Sequence, residues 1–229
     1  MEEELDINKI NEVVENRLSK IQDDNRITKV HEQIFFYYNS FNVLLGKQGT
    51  GKTTFILKEM VKLSFVKSLY SKILYITNGD GKDQTFQMLK GLIKIPIYSL
   101  NFEDATNALD QYYSTPNTTG EHIIVIIEDG SFLLEKENEQ WGQWICKLRH
   151  LKTTMFLNLH IWRTLNPTLK TQLGCVVVFK GFSKGVFQRV IRQTSSDFSW
   201  DSAYYLYLTM EKNQCLKIDN INGKVAIIN

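Results

Sequence analysis

Eight consecutive residues, Gly46-Lys47-Gln48-Gly49-Thr50-Gly51-Lys52-Thr53, constrain this chain more than any other feature. They match the pattern G-x-x-x-x-G-K-[ST] at every fixed position. An apolar run from Phe41 to Leu45 precedes them. A helix-like stretch from Lys52 to about Lys67 follows, with Phe55, Ile56, Met60 and Leu63 facing inward. Strand, glycine-rich turn and helix in that order make a phosphate cradle. The glycines let the backbone fold around an anion, so that several N–H groups converge at the positive end of a helix. Lys52 is expected to reach the β- and γ-phosphates of a nucleoside triphosphate, and the Thr53 hydroxyl to bind Mg²⁺. Thr54 completes the nucleotide-binding stretch.

A second motif lies further along. Five strand-like residues, Ile123 to Ile127, end in Glu128-Asp129. A strand tip beside a P-loop that presents two acids is a Walker B pattern, with one carboxylate for Mg²⁺ and one for the attacking water. No Asn-Lys-x-Asp tetrapeptide occurs, so the guanine reader of a GTPase is missing. A nucleotide or small-molecule kinase stays open, since a basic segment could serve as its lid, but a kinase does not need the second carboxylate. A binding module in which ATP only gates assembly also stays open. Hydrolysis is the reading that uses every residue of both motifs.

Further apolar runs fall at Ile73–Ile76, Ile95–Tyr98, Thr154–Leu159 and Cys175–Phe179, with helix-like segments between several of them. That alternation predicts an α/β fold with a mainly parallel sheet. The runs are nearly all apolar rather than alternating, as in strands covered on both faces. The C-terminal end differs, with runs at Tyr204–Met210, Cys215–Ile221 and Lys224–Ile228. Asn222-Gly223 predicts a type I′ hairpin turn between the last two. Residues 5–34 carry Ile7, Ile10, Val14, Ile21 and Val30 at the spacing of an amphipathic helix, interrupted by Arg17 and Thr28. The division expected is a helical docking appendage over 1–34 and a P-loop domain over 35–229. Trp141, Trp144 and the aromatic run Phe35-Phe36-Tyr37-Tyr38 are expected in the core. Asn78-Gly79-Asp80-Gly81 reads as a turn, because the remaining ligands of a calcium loop are missing.

Composition limits the rest. The chain of 229 residues is 43% hydrophobic and 23% charged, ordinary for a globular protein. No apolar run approaches the length of a transmembrane helix, and the Met-Glu-Glu-Glu start is acidic where a signal peptide would be basic. Cys146, Cys175 and Cys215 are too few and scattered for a disulfide framework or a zinc site, and Cys175 in its apolar strand is expected to be inert. A reduced, intracellular protein is the expectation. Net charge is only +2, but it is unevenly spread. Residues 1–32 hold nine acids and five bases, whereas Lys147 to Ser196 hold nine Lys or Arg and no acid. Such a run suits a polyanion.

The stretches GKQGTGKT, IIVIIEDG, LRHLKTTMFLNLH and VVVFKGFSK together resemble the FtsK/HerA superfamily of DNA-pumping ATPases. Within it the chain looks most like the compact viral genome-packaging ATPases of the poxvirus type, also found in virophages. The resemblance spans roughly Phe41 to Phe182. It implies a RecA-like core, ATP and Mg²⁺ as cofactors, and a homo-oligomeric ring that moves double-stranded DNA without sequence preference, with capsid proteins as further partners. It also implies Lys52 and Thr53 at the nucleotide, Glu128 at the metal and Asp129 at the water. The family has Asp first, so the order Glu128-Asp129 is a departure. Arg149 matches an arginine that family members direct at a neighbouring subunit's nucleotide, and His160 stands where they carry a sensor glutamine. Lys170, Lys180, Lys184, Arg189 and Arg192 would line a DNA path through phosphate contacts.

Overall fold

The structure, a computed structural model, describes residues 29–77, 84–115, 120–130, 138–194 and 198–229. In chain order these form β1 (Phe41–Leu45), α1 (Lys52–Leu63), β2 (Tyr70–Ile76), α2 (Gln84–Lys90), β3 (Ile97–Leu100), α3 (Phe102–Ser114), β4 (His122–Ile127) and α4 (Asn138–Cys146). There follow β5 (Thr153–Leu159), a 3-10 turn at Trp162–Thr164, α5 (Pro167–Thr171), β6 (Leu173–Phe179), α6 (Lys184–Thr194), α7 (Trp200–Thr209), β7 (Cys215–Asp219) and β8 (Lys224–Ile228). The eight strands make one sheet in the order β3-β2-β4-β5-β1-β6-β7-β8. The six strands from β3 to β6 in that order run parallel, and β7 and β8 extend the β6 edge antiparallel.

Helices cover both faces, which explains the continuous apolar runs. Along β4, Ile123, Val125 and Ile127 enter one core and Ile124 and Ile126 the other. β1 divides the same way, Val43 and Leu45 against Leu44. The period-2 alternation is present, but it sorts residues between two cores instead of between core and water. Trp141 and Trp144 pack in the first core, and Phe35, Phe36, Tyr37 and Tyr38 are all buried in the second. Burial in β6 pushes the Cys175 thiol up to about 12, consistent with an inert sulfur.

Sequence and structure differ in several places. Tyr204–Met210, read as a strand-like run, lies almost wholly within helix α7. Its tyrosines favour strands in isolation. In the fold, Ala203 and Tyr207 form one buried face, and the Tyr207 ring stacks on Phe187 of α6 at 4.4 Å. The last hairpin has four loop residues rather than a two-residue type I′ turn, because only Gly223 takes a positive φ there. The Asp219 carboxylate accepts the N–H groups of Ile221 and Asn222 and organises the loop instead. The same carboxylate accepts bonds from Tyr37 and Lys217, which pins the hairpin to the segment before β1. Helix α1 stops at Leu63 instead of about Lys67, and β3 starts after Pro96. Of the helix expected over 5–34, residues 5–28 lie outside the described residues. Residues 29–34 form a bridge, Lys29 to Tyr37, and a turn that buries Val30 and Ile34. Asn78-Gly79-Asp80-Gly81 also lies outside the described residues.

Candidate active site

Both sequence motifs sit at the carboxyl tips of parallel strands in the same sheet. The P-loop leaves β1 and Glu128-Asp129 leaves β4, and one strand, β5, lies between them. This intervening strand comes from after the acid pair in sequence. The β2 and β3 runs, which fall between the motifs along the chain, lie beyond β4 instead.

Local chemistry explains the P-loop's shape. Gly49 and Gly51 have φ of 73° and 91°, a region that L side chains rarely enter. Gly46 is needed for a different reason: a Cβ there would lie 2.4 Å from the Thr50 hydroxyl and 3.0 Å from Phe179 Cβ. Side chains cap α3 and α5, with Asn101 and Asn166 each accepting a first-turn N–H. Helix α1 has Gly51 at its cap, no side-chain cap bond and no acid in its first turn. Its first N–H groups are therefore left for an anion. Lys47, Gln48 and Gly49 are exposed, and Thr54 is half-buried on α1.

Lys52 is 6% exposed and folds back on its own loop. Its Nζ donates to the carbonyls of Gly46 at 2.8 Å and Lys47 at 3.1 Å, and lies 3.3 Å from His160 Nδ1. Burial lowers the ammonium's pKa, while Glu128 and Asp129 push it back up. His160 Nε2 stands 2.6 Å from Asp129 Oδ1. His160 Nδ1 also lies 3.1 Å from the Gly46 carbonyl oxygen, so the ring packs between the P-loop backbone, Lys52 and Asp129. His160 thus joins the P-loop lysine to the second acid.

The two acids have different surroundings. Asp129 has φ of 50° and a side chain 72% exposed. Glu128 is held from three elements, accepting from Thr53 Oγ1 at 3.1 Å, Tyr75 OH at 3.0 Å and Asn158 Nδ2 at 2.7 Å. Burial raises its pKa, and those three bonds work against the rise. Among the described residues no group of three or more His, Cys, Asp or Glu could hold a metal ion. The donor set beside the P-loop, one hydroxyl and one carboxylate, suits a Mg²⁺ that keeps waters and takes phosphate oxygens for the rest of its shell. The orphaned, buried Oδ1 of Asn158 next to Glu128 fits such a hydrated ion.

A stability prediction follows from the sign of the Glu128 shift. A carboxyl whose pKa is raised on folding loses stability as pH rises through its ordinary range towards the folded value. Glu128→Gln removes the buried charge, and its Tyr75, Thr53 and Asn158 partners can each reverse donor and acceptor. The variant should melt about 2–4 °C higher than wild type at neutral pH, for roughly 1 kcal/mol. That gain should shrink as pH falls below the ordinary carboxylate range. Thermal melts across that range check it, and an equal or lower melting point at neutral pH would contradict it.

Arg149 is not brought to this site. It lies in the turn before β5, at the opposite end of the sheet, beside a cleft of about 190 Å³ lined by Ser40, Phe41, Cys146, Gln172 and Gly174. The seven residues of β5 separate it from His160, roughly 20 Å at strand rise. That is farther than an arginine side chain extends. The proposed DNA-path residues divide. Lys180, Lys184, Arg189 and Arg192 are exposed, with Lys184 also over Trp200 at 5.2 Å, whereas Lys170 is half-buried over Trp162 at 5.3 Å. Gly181 in the Lys180 loop abuts Lys47, so that loop borders the phosphate cradle. Asn158 and Tyr75 are site residues that the motifs missed. One signal was available, a lone amide in an otherwise apolar run two residues before His160 and therefore on the same strand face.

No family model and no curated protein matches the chain. Solved structures do. B204, the DNA-packaging ATPase of Sulfolobus Turreted Icosahedral Virus, superposes with a TM-score of 0.62 at 13% identity, covering 83% of this chain and 97% of that one. The genome packaging NTPase B204 of Sulfolobus turreted icosahedral virus 2, in complex with ATP-gammaS, gives 0.64 at 15% identity with the same coverage. The cytoplasmic domain of the Thermomonospora curvata Type VII Secretion ATPase EccC gives 0.56 at 13% identity, covering 82% of this chain and 25% of that one. At these identities the agreement is one of architecture. The chain shares its α/β fold with these solved ATPases.

Proposed function

We propose that this chain is a Mg²⁺-dependent ATPase that works as one subunit of a ring and moves double-stranded DNA, packaging a viral genome. The observation that carries the reading is the division of labour between the two acids. Glu128 is shielded and bonded beside Thr53, and Asp129 is exposed and held by a histidine that also touches the P-loop lysine. The likeness to B204, solved with an ATP analogue, supports the nucleotide and the motor.

In this reading the backbone of Gly46 to Thr54 binds the phosphates, and Lys52 transfers its hydrogen bonds from the loop carbonyls to phosphate oxygens. Thr53 and Glu128 would hold Mg²⁺, which supplies charge neutralisation at the β- and γ-phosphates. Asp129 takes a proton from the attacking water, and His160 orients its carboxylate. Lys180, in the loop that borders the P-loop, and the exposed Lys184, Arg189 and Arg192 offer sequence-independent contacts to DNA phosphates.

The test is ATP hydrolysis with and without linear double-stranded DNA, with Lys52→Ala as the blank. Hydrolysis should rise with DNA, and the rise should weaken steeply with salt as phosphate contacts are screened. Hydrolysis indifferent to DNA would leave an ATPase and remove the pump. No hydrolysis at concentrations where the chain assembles, with phosphate passed to an added nucleotide acceptor, would replace the motor by a kinase.

A further inference from the structure

Glu128 is gripped on both sides by residues outside either motif. Asn158 follows Phe156 on the α1-facing side of β5, where the apolar ladder ends, and the residue is completely buried. Its side-chain Nδ2 donates to Glu128 Oε2 at 2.7 Å, the same oxygen that accepts from Thr53. Its backbone carbonyl accepts the Gly130 N–H at 3.0 Å. One residue therefore holds both the side chain and the main chain of the acidic turn. The turn cannot shift away from this grip easily, because a Cβ on Gly130 would lie 2.0 Å from Leu157 Cδ1. On the other side Tyr75 of β2 donates to Glu128 Oε1, and its ring stacks on Phe86 of α2 at 4.3 Å.

Asn158 uses the donor end of its amide, and its Oδ1 is shielded from solvent with no partner among the described residues, as are the Oδ1 atoms of Asn39, Asn42 and Asn220. Asn158 is set apart by its place, with Nδ2 on the Glu128 carboxylate. Because Oδ1 shares a planar amide with Nδ2, it lies within reach of a water bound at the same carboxylate. The donor end faces Glu128, which fits an ionised carboxylate, since reversing the amide would set two acceptors against each other.

We infer that Asn158 is a positioning residue for the divalent cation. It fixes the Glu128 carboxylate beside the Thr53 hydroxyl and offers its free oxygen to a water of the cation's shell, with Tyr75 as the second clamp. The inference rests on the reading of the P-loop as a site for nucleotide and cation. Outer-shell partners of this kind typically change metal affinity by about 10–100-fold when removed.

The experiment uses the full chain with ATPγS and Mn²⁺, following bound Mn²⁺ by electron paramagnetic resonance. Nucleotide affinity is measured separately without a divalent ion. Asn158→Leu, close in shape but unable to donate, should raise the Mn²⁺ concentration for half-saturation about tenfold and leave cation-free nucleotide binding unchanged. Tyr75→Phe keeps the ring on Phe86 and removes one bond, and should shift the same quantity in the same direction by less. It also serves where Asn158→Leu fails to fold. Wild-type binding of Mn²⁺ with unaltered half-saturation in the folded variants would overturn the role of Asn158 alone. A wild-type chain that takes up no nucleotide-dependent Mn²⁺ would overturn both the inference and the reading beneath it.

Discussion

Lys52→Ala is expected to lower ATP hydrolysis by roughly 10²–10³-fold, the loss typical when one preorganised charge donor is removed. The fold should remain at least as stable. The ammonium is nearly inaccessible to water, and its stabilisation comes from two loop carbonyls and the nearby carboxylates. Removing it relieves the desolvation that burial imposes, and α1 keeps its register because Phe55 N–H bonds to Gly51 through the main chain. Steady-state hydrolysis and a thermal melt, measured on the same preparation, separate chemistry from folding. Activity close to wild type in a folded variant would place the reaction away from the P-loop.

On the proposed reading of a ring motor, Arg149→Ala is expected to cost about 10³-fold or more, the loss typical of an arginine finger, but only where subunits meet. Arg149 is exposed at the opposite end of β5 from His160 and cannot reach the phosphates held by its own chain. A role at a γ-phosphate therefore needs a second copy. Wild-type specific activity should rise with protein concentration, and the variant should stay low throughout. A stronger check mixes two inactive proteins. An Arg149→Ala subunit has an intact P-loop and a Lys52→Ala subunit has an intact Arg149, so mixed rings should regain activity that neither protein shows alone. No recovery on mixing, together with a flat concentration response of the wild type, would remove the trans role.

The legible parts of this chain were those written in consecutive residues. The P-loop announced itself because the turn, its glycines and the lysine must be contiguous to wrap a phosphate. The β4 run ending in Glu128-Asp129 was readable for the same reason. The apolar runs gave the α/β class, since a strand covered on both faces has no polar positions to hide it. Other features were misread because neighbours far along the chain decide them. The tyrosines of α7 look strand-like until Phe187 offers a face to stack on. Asn222-Gly223 looks like a complete turn until Asp219 captures the loop N–H groups.

The sequence by itself therefore determined the glycine-rich turn after β1, the acid pair after β4 and the class of the sheet. The tertiary structure decided how that chemistry is arranged. Parallel pairing put β5 between β1 and β4, and so set His160 between Lys52 and Asp129 and Asn158 against Glu128. The length of the same strand carried Arg149 out of reach of the glycine-rich turn of its own chain. A motif records what one stretch of backbone can do locally. The distances between stretches come from strand order and register, which are settled by packing over the whole sheet and leave no local mark in the residues they join.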